Sequence, residues 1–379
     1  MILQQRRERL LQLYQTALQA VSGERAVSRY LQQHPIAGPC SLIAIGKAAA
    51  AMARGAQQGL GERLRQGLVI TKHGHGDPAL KPTKFRQLES SHPIPDESSL
   101  AAGEVLLRYL VGLPEGEPLL FLLSGGASSL VEVLSEGMSA EELADLNRRM
   151  LASGLSIGEM NARRKALSQI KGGKLIPFLK GRRCLQLLIS DVPGDELSVI
   201  GSGPLIAAAE NIESHIIASN DVAREALIEA ALRMGLKVFN HQGHCEGDAE
   251  TLAAQFCDEL LLGEAGIYIW GGESTVVLPD APGRGGRNQQ LALVAARYLS
   301  GHDDVLLLAA GTDGSDGPTE DAGALVDGGS VQRGEWEGLE ALDALQRADA
   351  GTFLEASGDL IQTGPTGTNV MDMVLAWKW

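Results

Sequence analysis

Residues Leu119–Leu130 read LLFLLSGGASSL. Five apolar residues run without interruption into Ser124-Gly125-Gly126-Ala127-Ser128-Ser129, and the segment beyond can continue as helix. Such a run reads as a buried strand, a tight turn and a helix start, which together aim several backbone N–H groups at one point where an anion can sit. The same residues also suit a packing turn, in which small side chains only permit close approach.

The stretches around it repeat this grammar. SLIAIGKAAAAMARGAQQGL (41–60) is a β-prone run, then Gly46 and Lys47, then an alanine-rich helical pattern; GLVITKHGHG (67–76) is a second strand and loop. A helix over 98–109, a strand over 118–123, a helical stretch over 140–171 and a strand over 184–190 ending at Asp191 follow. Strands that are apolar throughout and alternate with helices predict a parallel sheet covered on both faces. A second series begins near residue 235, with strands in HIIASN, LKVFN, IYIWGG and VLLLAAGTDG, helices from Asp221 and Asp248, an amphipathic helix in GGRNQQLALVAARYL, and a last strand in MDMVLAWKW. The fold expected is α/β in two domains. Residues 1–235 form a Rossmann-like parallel sheet flanked by helices, and 236–379 a smaller α/β domain whose last strand is free to return to the first. The site is expected in a cleft between them.

With 379 residues, two cores are a better expectation than one. A net charge of -14 without a long basic run argues against nucleic acid as a partner. MILQQRRERLLQLYQTALQAV places Leu10, Leu11, Leu13, Tyr14 and Leu18 at helical spacing, so the N-terminus reads as an amphipathic helix and not a signal peptide. No apolar run approaches the length of a membrane span, and the cytoplasm is the expected location. Cys40, Cys184, Cys245 and Cys257 lack metal-ligand spacing and read as free thiols.

Chemistry concentrates at strand ends. Lys47 stands where a helix begins, a position that disfavours a cation unless an anion offsets it. ISDVPGDELSVIGSGP puts Asp191 and Asp195 just past a strand, one of them able to act as a helix cap. GGESTVVLPDAPGRGGRNQQLAL supplies Glu273, Arg284, Arg287 and Asn288 around a glycine-rich helix start suited to carboxylate or phosphate. AAGTDGSDGPTEDAGALVD carries Asp313, Asp316 and Asp321, without the spacing of a calcium loop but compatible with Mg²⁺ shared with a phosphate, or with an ordinary Asp/Gly turn. Neither a Walker A loop nor a GxGxxG turn is present. By inventory this is a site for a polyanion and a metal, and phosphoryl transfer is the chemistry such a set serves.

The motifs IGKAAAAMA, VITKHGHG, SSHPIPDESS, LLSGGASSL, NARRKALSQIKGGKL, ISDVPGDELSVIGSGP, GGESTVVL, GRGGRNQQLAL, AAGTDGSDGPTEDAGALVD and TGPTGTNVMD together resemble the class II glycerate kinases, the glycerate 2-kinase type with a C-terminal MOFRL domain. The resemblance runs over essentially the whole chain. It implies phosphorylation of D-glycerate at its 2-hydroxyl by ATP with Mg²⁺, giving 2-phospho-D-glycerate, with D-glycerate and ATP as small-molecule partners and a homodimer left open. It implies Lys47 and Arg287 as a catalytic pair, Lys47 stabilising the phosphoryl group and Arg287 holding the glycerate carboxylate or the developing charge. Asp191 is assigned to the hydroxyl proton, and Asp313 and Asp316 to Mg²⁺. Ser124, Gly125, Gly126, Ser128, Arg164, Lys165, Glu273 and Asn288 are assigned to substrate or nucleotide. Ala127, and the absence of an Asn-Asp-Ser run in ADAGTFLEASGDLI, depart from the family pattern. Two other readings stand beside it: a hydroxypyruvate reductase, against which the missing GxGxxG counts, and a non-catalytic sugar-phosphate-binding protein.

Overall fold

A computed structural model describes residues 3–135, 157–207 and 209–379, together with Glu142, Asp145 and Arg149. Two compact units divide the chain. Val21–Ser219 with Gly367–Asn369 form one; Met1–Ala20, Asn220–Thr366 and Val370–Trp379 form the other.

The first unit is built on six strands: β1 (Cys40–Ile45), β2 (Leu64–Lys72), β3 (Phe85–Ser90), β4 (Leu119–Leu123), β5 (Cys184–Ile189) and β6 (Ile212–Ala218). All pairings are parallel, and the order is β3-β2-β1-β4-β5-β6. This is the strand order of dinucleotide-binding Rossmann sheets, and the Rossmann-like expectation is met. β1 and β4 are buried at every residue, as their unbroken apolar sequences require. Ile43, Phe121, Leu123 and Leu188 meet Leu106 and Leu110 of the helix Glu97–Gly112 in one core. Asp96 starts that helix by accepting from Ser98 N–H, in a capping box with Ser99. Of the helical stretch expected over 140–171, Ile157–Leu167 is helix; most of 136–156 lies outside the described residues.

The second unit holds β7 (Val238–Asn240), β8 (Cys245–Asp248), β9 (Gly266–Thr275), β10 (Val305–Gly311), β11 (Gly323–Asp327), β12 (Leu360–Ile361) and β13 (Asp372–Lys378). Their order is β12-β11-β10-β13-β9-β7, with β8 also on β9. The pairings from β12 through to β9 are antiparallel, and β7 and β8 run parallel to β9. The C-terminal segment is a strand, and it lies in the middle of this sheet between β10 and β9, so it does not return to the first sheet. Trp270, Leu307 and Phe353 are buried in its core.

Contacts draw the division differently from a single cut at 235/236. The N-terminal helix Leu3–Val21 sides with the second unit because its polar groups find partners there. Arg7 pairs with Asp327 and, at 2.8 Å, with Asp359; Tyr14 donates to the Gly311 carbonyl at 2.8 Å; and the Arg6 guanidinium lies 3.9 Å from the centre of the Trp379 ring. The helix Asn220–Arg233 joins it as well, since Asn220 donates to the Val370 and Asp372 carbonyls.

Candidate active site

In the first sheet, β1 has β2 on one side and β4 on the other, so the strand order reverses between β1 and β4. Open α/β sheets bind ligands outside the carboxyl ends of their strands at such a reversal. Ile45 ends β1 in register with Leu123, which ends β4. Gly46-Lys47 and Ser124-Gly125-Gly126 are therefore the residues that emerge side by side.

The two turns are bonded to one another. Lys47 N–H donates to Gly125 O at 2.9 Å, and Ala48 N–H to Ser124 Oγ at 3.1 Å. Ser124 is fully buried, and its hydroxyl ties down the start of the helix Ala49–Leu60; the hydrogen bond seen is to the protein's own backbone. Gly126 has φ +82, and a Cβ on it would lie 2.9 Å from the His92 ring and 3.2 Å from Lys47 Cγ. A Cβ on Gly125 would overlap Asp191 Oδ2 outright and lie 3.0 Å from Asn369 Nδ2. Both glycines thus admit side chains of the protein itself against the turn. Lys47, His92 and Asp191 converge there, and Asn369 holds Asp191 by donating to Oδ2 at 3.2 Å.

Among the described residues the N–H groups of Gly125, Gly126 and Ala127 make no backbone hydrogen bond. The helix that follows is a single turn, Ala127–Leu130, after which Val131 is extended. The helix start expected from sequence is present but stops after one turn, so any anion affinity here comes from local N–H groups and not from a macrodipole. Ser128 Oγ lies 2.9 Å from Ser202 Oγ. Lys165 is tied by Nζ to the Ser198 carbonyl at 2.8 Å. Arg164, Ser128 and Ser129 line a small pocket with Glu132 and Lys171. Asp195, which sequence offered as a cap, has φ +57, ends a short 3₁₀ turn and caps nothing.

The remaining candidates belong to the second unit. Arg287 opens the helix Arg287–Tyr298 and is clamped: Nε and Nη2 donate to the two oxygens of Asp372 at 2.7 and 3.1 Å, and Nη1 meets Glu273 at 2.6 Å. Burial lowers its pKa, but Asp372 and Glu273 outweigh that and raise it, so the guanidinium is permanently charged. Asp372 was not singled out in sequence; it lies 85 residues from Arg287 within TGPTGTNVMD and is brought in by β13.

Asp316 is almost fully buried and caps this helix from a separate loop. Oδ1 accepts from Asn288 N–H at 3.1 Å and Nδ2 at 3.2 Å, and Oδ2 accepts from Gln289 N–H at 2.8 Å. The Asn288 Nδ2 is thereby committed to Asp316, while its buried Oδ1 has no hydrogen-bond partner among the described residues. Asp313 accepts from Ser315 N–H and Oγ, and Asp321 is bound by Arg284 at 2.8 Å and Gln362 at 2.9 Å. Among the described residues no group of three or more His, Cys, Asp or Glu is arranged to hold a metal ion.

Burial pushes the Asp316 carboxyl up to about 6, against the downward pull of the Gln289 and Asn288 N–H groups. A carboxyl that binds its proton more tightly folded than unfolded stabilises most below its unfolded pKa, about 3.9, and that contribution is lost as pH rises through about 6. Asp316→Asn cannot titrate. Thermal midpoints from pH 4 to 7 should therefore converge, the wild type losing more over this range than the variant; a constant difference would mean that Asp316 does not titrate there.

The chain is thus an α/β protein of two compact units, each with its own sheet. Residues 9–234 match the family described as Domain of unknown function (DUF4147), and 266–372 match the MOFRL family. The chain is 36% identical to a D-glycerate 2-kinase of Thermotoga maritima, over 96% of each chain. It is 33% identical to a putative hydroxypyruvate reductase of Agrobacterium vitis, over 97% of this chain and 93% of that one. A crystal structure of glycerate kinase from Thermotoga maritima superposes with a TM-score of 0.90 at 33% identity, covering 99% of this chain and all of the other. The chain belongs to the glycerate kinase family with a C-terminal MOFRL domain. Among the described residues no helix is long and apolar enough to cross a membrane.

Proposed function

We propose that this kinase transfers the γ-phosphoryl group of ATP to the 2-hydroxyl of D-glycerate, giving 2-phospho-D-glycerate. The observation that carries the reading is the convergence, at the reversal point of the first sheet, of a lysine, an aspartate held by Asn369 and a glycine turn whose N–H groups make no backbone hydrogen bond among the described residues. In this reading Asp191 accepts the hydroxyl proton, and Asn369 fixes which of its oxygens faces the acceptor. Lys47 meets the charge on the phosphoryl oxygens, and the turn N–H groups bind an anionic oxygen of ATP or of the acceptor. Arg287, already paired with Asp372 and Glu273, is assigned to positioning those carboxylates more than to gripping a ligand. The decisive assay incubates the protein with ATP, Mg²⁺ and D-glycerate and adds enolase. Direct consumption of the product identifies 2-phosphoglycerate; a product that enolase ignores would overturn the regiochemistry.

The carboxylates fit Mg²⁺ only in a restricted way. Magnesium carried on a nucleotide needs one or two protein carboxylates, and with both oxygens of Asp316 capping a helix, Asp313 is the proposed ligand in that loop. Bound there, the ion would offset phosphate charge. Asp313→Asn is expected to raise the Mg²⁺ concentration for half-maximal rate roughly threefold to tenfold. An unchanged Mg²⁺ titration would assign the DGSDG segment to structure alone.

The β3-β2-β1-β4-β5-β6 order favours one alternative, a hydroxypyruvate reductase, because dinucleotide enzymes share it. The turn after β1 argues the other way. Dinucleotide sheets place glycines there so that the pyrophosphate can approach, whereas this chain has Gly46-Lys47-Ala48, and Ser124 packs where a Gly46 Cβ would point. Rapid NADH oxidation by hydroxypyruvate without ATP would reverse this preference.

A further inference from the structure

We infer that Thr312 is a positioning residue: it holds Met371 in a left-handed backbone conformation and thereby sets Asp372 against Arg287. Its effect on rate rests on the kinase reading and deepens it, since that reading takes the clamp of Arg287 on Asp372 as given.

Met371 has φ +67 and is almost fully buried. The angle is unfavourable for any residue with a Cβ, and such a residue persists only where its surroundings over-determine it. Thr312, itself buried, supplies most of that constraint. It donates to the Met371 carbonyl twice, from N–H at 3.1 Å and from Oγ1 at 2.6 Å, and its Oγ1 accepts from Val370 N–H at 2.8 Å. Asn220 supports it from another side, its Nδ2 donating to the Val370 carbonyl at 2.9 Å and the Asp372 carbonyl at 3.1 Å. Gly271 admits this amide, because a Cβ there would overlap Asn220 Oδ1. Rotating Met371 to a negative φ would swing the Val370 carbonyl relative to that of Asp372, and one nitrogen could no longer serve both.

What the pinned residue leads into is the clamp. Asp372 is the first residue of β13, opposite Gly311 in β10 and Gly272 in β9. Its two oxygens take Nε and Nη2 of Arg287 as a fork, and two parallel bonds demand the right orientation of the carboxylate as well as the right distance. A chain entering β13 through a relaxed Met371 would tilt Asp372 and break the fork. Glycine would adopt the same angle without strain but would leave this entry mobile; methionine fastened by Thr312 does not. Thr312 touches neither Arg287 nor the Asp372 carboxylate in any hydrogen bond, so its influence passes through the backbone of Val370 and Met371.

The test reads the clamp and the rate separately. The Arg287 side chain is 33% exposed, so phenylglyoxal can reach it, and its rate of modification, followed by mass spectrometry, reports how firmly Asp372 holds the guanidinium. The rate is kcat with ATP, Mg²⁺ and D-glycerate, and circular dichroism confirms folding. Thr312→Val keeps the shape and loses the hydroxyl; Arg287 should be modified at least about fivefold faster and kcat should fall at least about tenfold. Thr312→Ser keeps the hydroxyl and should bring both to within about twofold of the parent. Met371→Gly isolates the mechanism: in that background the left-handed angle needs no enforcement, and adding Thr312→Val should change either readout by less than about threefold. If Thr312→Val alone does not fold, the double variant should fold, and a double variant that is also unfolded overturns the inference. So does parental labelling of Arg287 in Thr312→Val, a Thr312→Ser no better than Thr312→Val, or a Thr312→Val effect as large on Met371→Gly as on the parent. Faster labelling at parental kcat overturns the positioning role and removes the clamp from the reaction. A parent that does not phosphorylate D-glycerate overturns the kinase reading, and the labelling series then decides alone whether Thr312 sets the clamp.

Discussion

Gly125→Ala is expected to reduce kcat by at least about a thousandfold while the protein remains folded. The added methyl has no room: it would occupy the position of Asp191 Oδ2 and press on Asn369 Nδ2. Asp191 must then swing away from the turn or the turn must open, and in either case the group proposed to take the hydroxyl proton leaves its place. General-base catalysis by a positioned group contributes about 10² to 10⁴ in rate, and displacing the turn N–H groups would add to the loss. Gly125 has an ordinary backbone angle, so the penalty is steric and local, in contrast to Gly126, where φ +82 would strain any side chain as well. Asp191→Asn serves as the companion variant, since it removes the base without disturbing the turn. If Gly125→Ala, verified as folded by circular dichroism, retains more than a tenth of parental kcat, the contact with Asp191 is not part of the catalytic geometry.

The first sheet was legible because its central strands carry no alternation. CSLIAI and LLFLL have one reading once helices separate them, and the small residues after each mark the strand ends where Lys47 and the glycine turn sit. Less visible was β3, FRQLES, an edge strand with polar faces that reads as loop. GALVD was hidden similarly, absorbed into a run of aspartates and glycines although it is a fully buried strand. The N-terminal helix shows why domain membership resists sequence reading: its apolar stripe would suit either sheet, and what selects one is the meeting of Arg7 with Asp327 and Asp359, more than 300 residues away.

The candidate residues divide on the same principle. The positions of Lys47 and Asp191 just past their strands were readable because a strand end is a local signal. The roles of Asp316 and Asn288 were not, because a cap supplied by a loop 28 residues away has no local signature, and the aspartate that performs it looks like any other in a DGSDG run. The Gly125 and Gly126 contacts give substance to the close-approach reading that the sequence held beside an anion turn: their missing side chains make room for Asp191, His92 and Lys47.

Lys47→Ala is the second large effect expected, a fall in kcat of at least about a hundredfold with a thermal midpoint close to that of the parent. The backbone at this position has its own fastening, Lys47 N–H to Gly125 O at 2.9 Å and Ala48 N–H to Ser124 Oγ at 3.1 Å, and alanine preserves both. The residue is partly exposed, so truncating its side chain opens no core cavity. What is removed is a cation at the end of β1, one that alanine cannot replace. A hundredfold loss corresponds to about 2.7 kcal/mol, within the range for removing one preorganised charge from a phosphoryl-transfer site. Lys47→Arg separates charge from shape: if the site needs only a positive charge, arginine should restore much of the rate, whereas a site shaped to a lysine stem packed at Gly126 predicts that arginine is nearly as poor as alanine. The contact of Lys47 Cγ with the Gly126 position favours the second result. A Lys47→Ala protein with parental kcat would remove the lysine from the mechanism and leave Asp191 and the turn to account for catalysis alone.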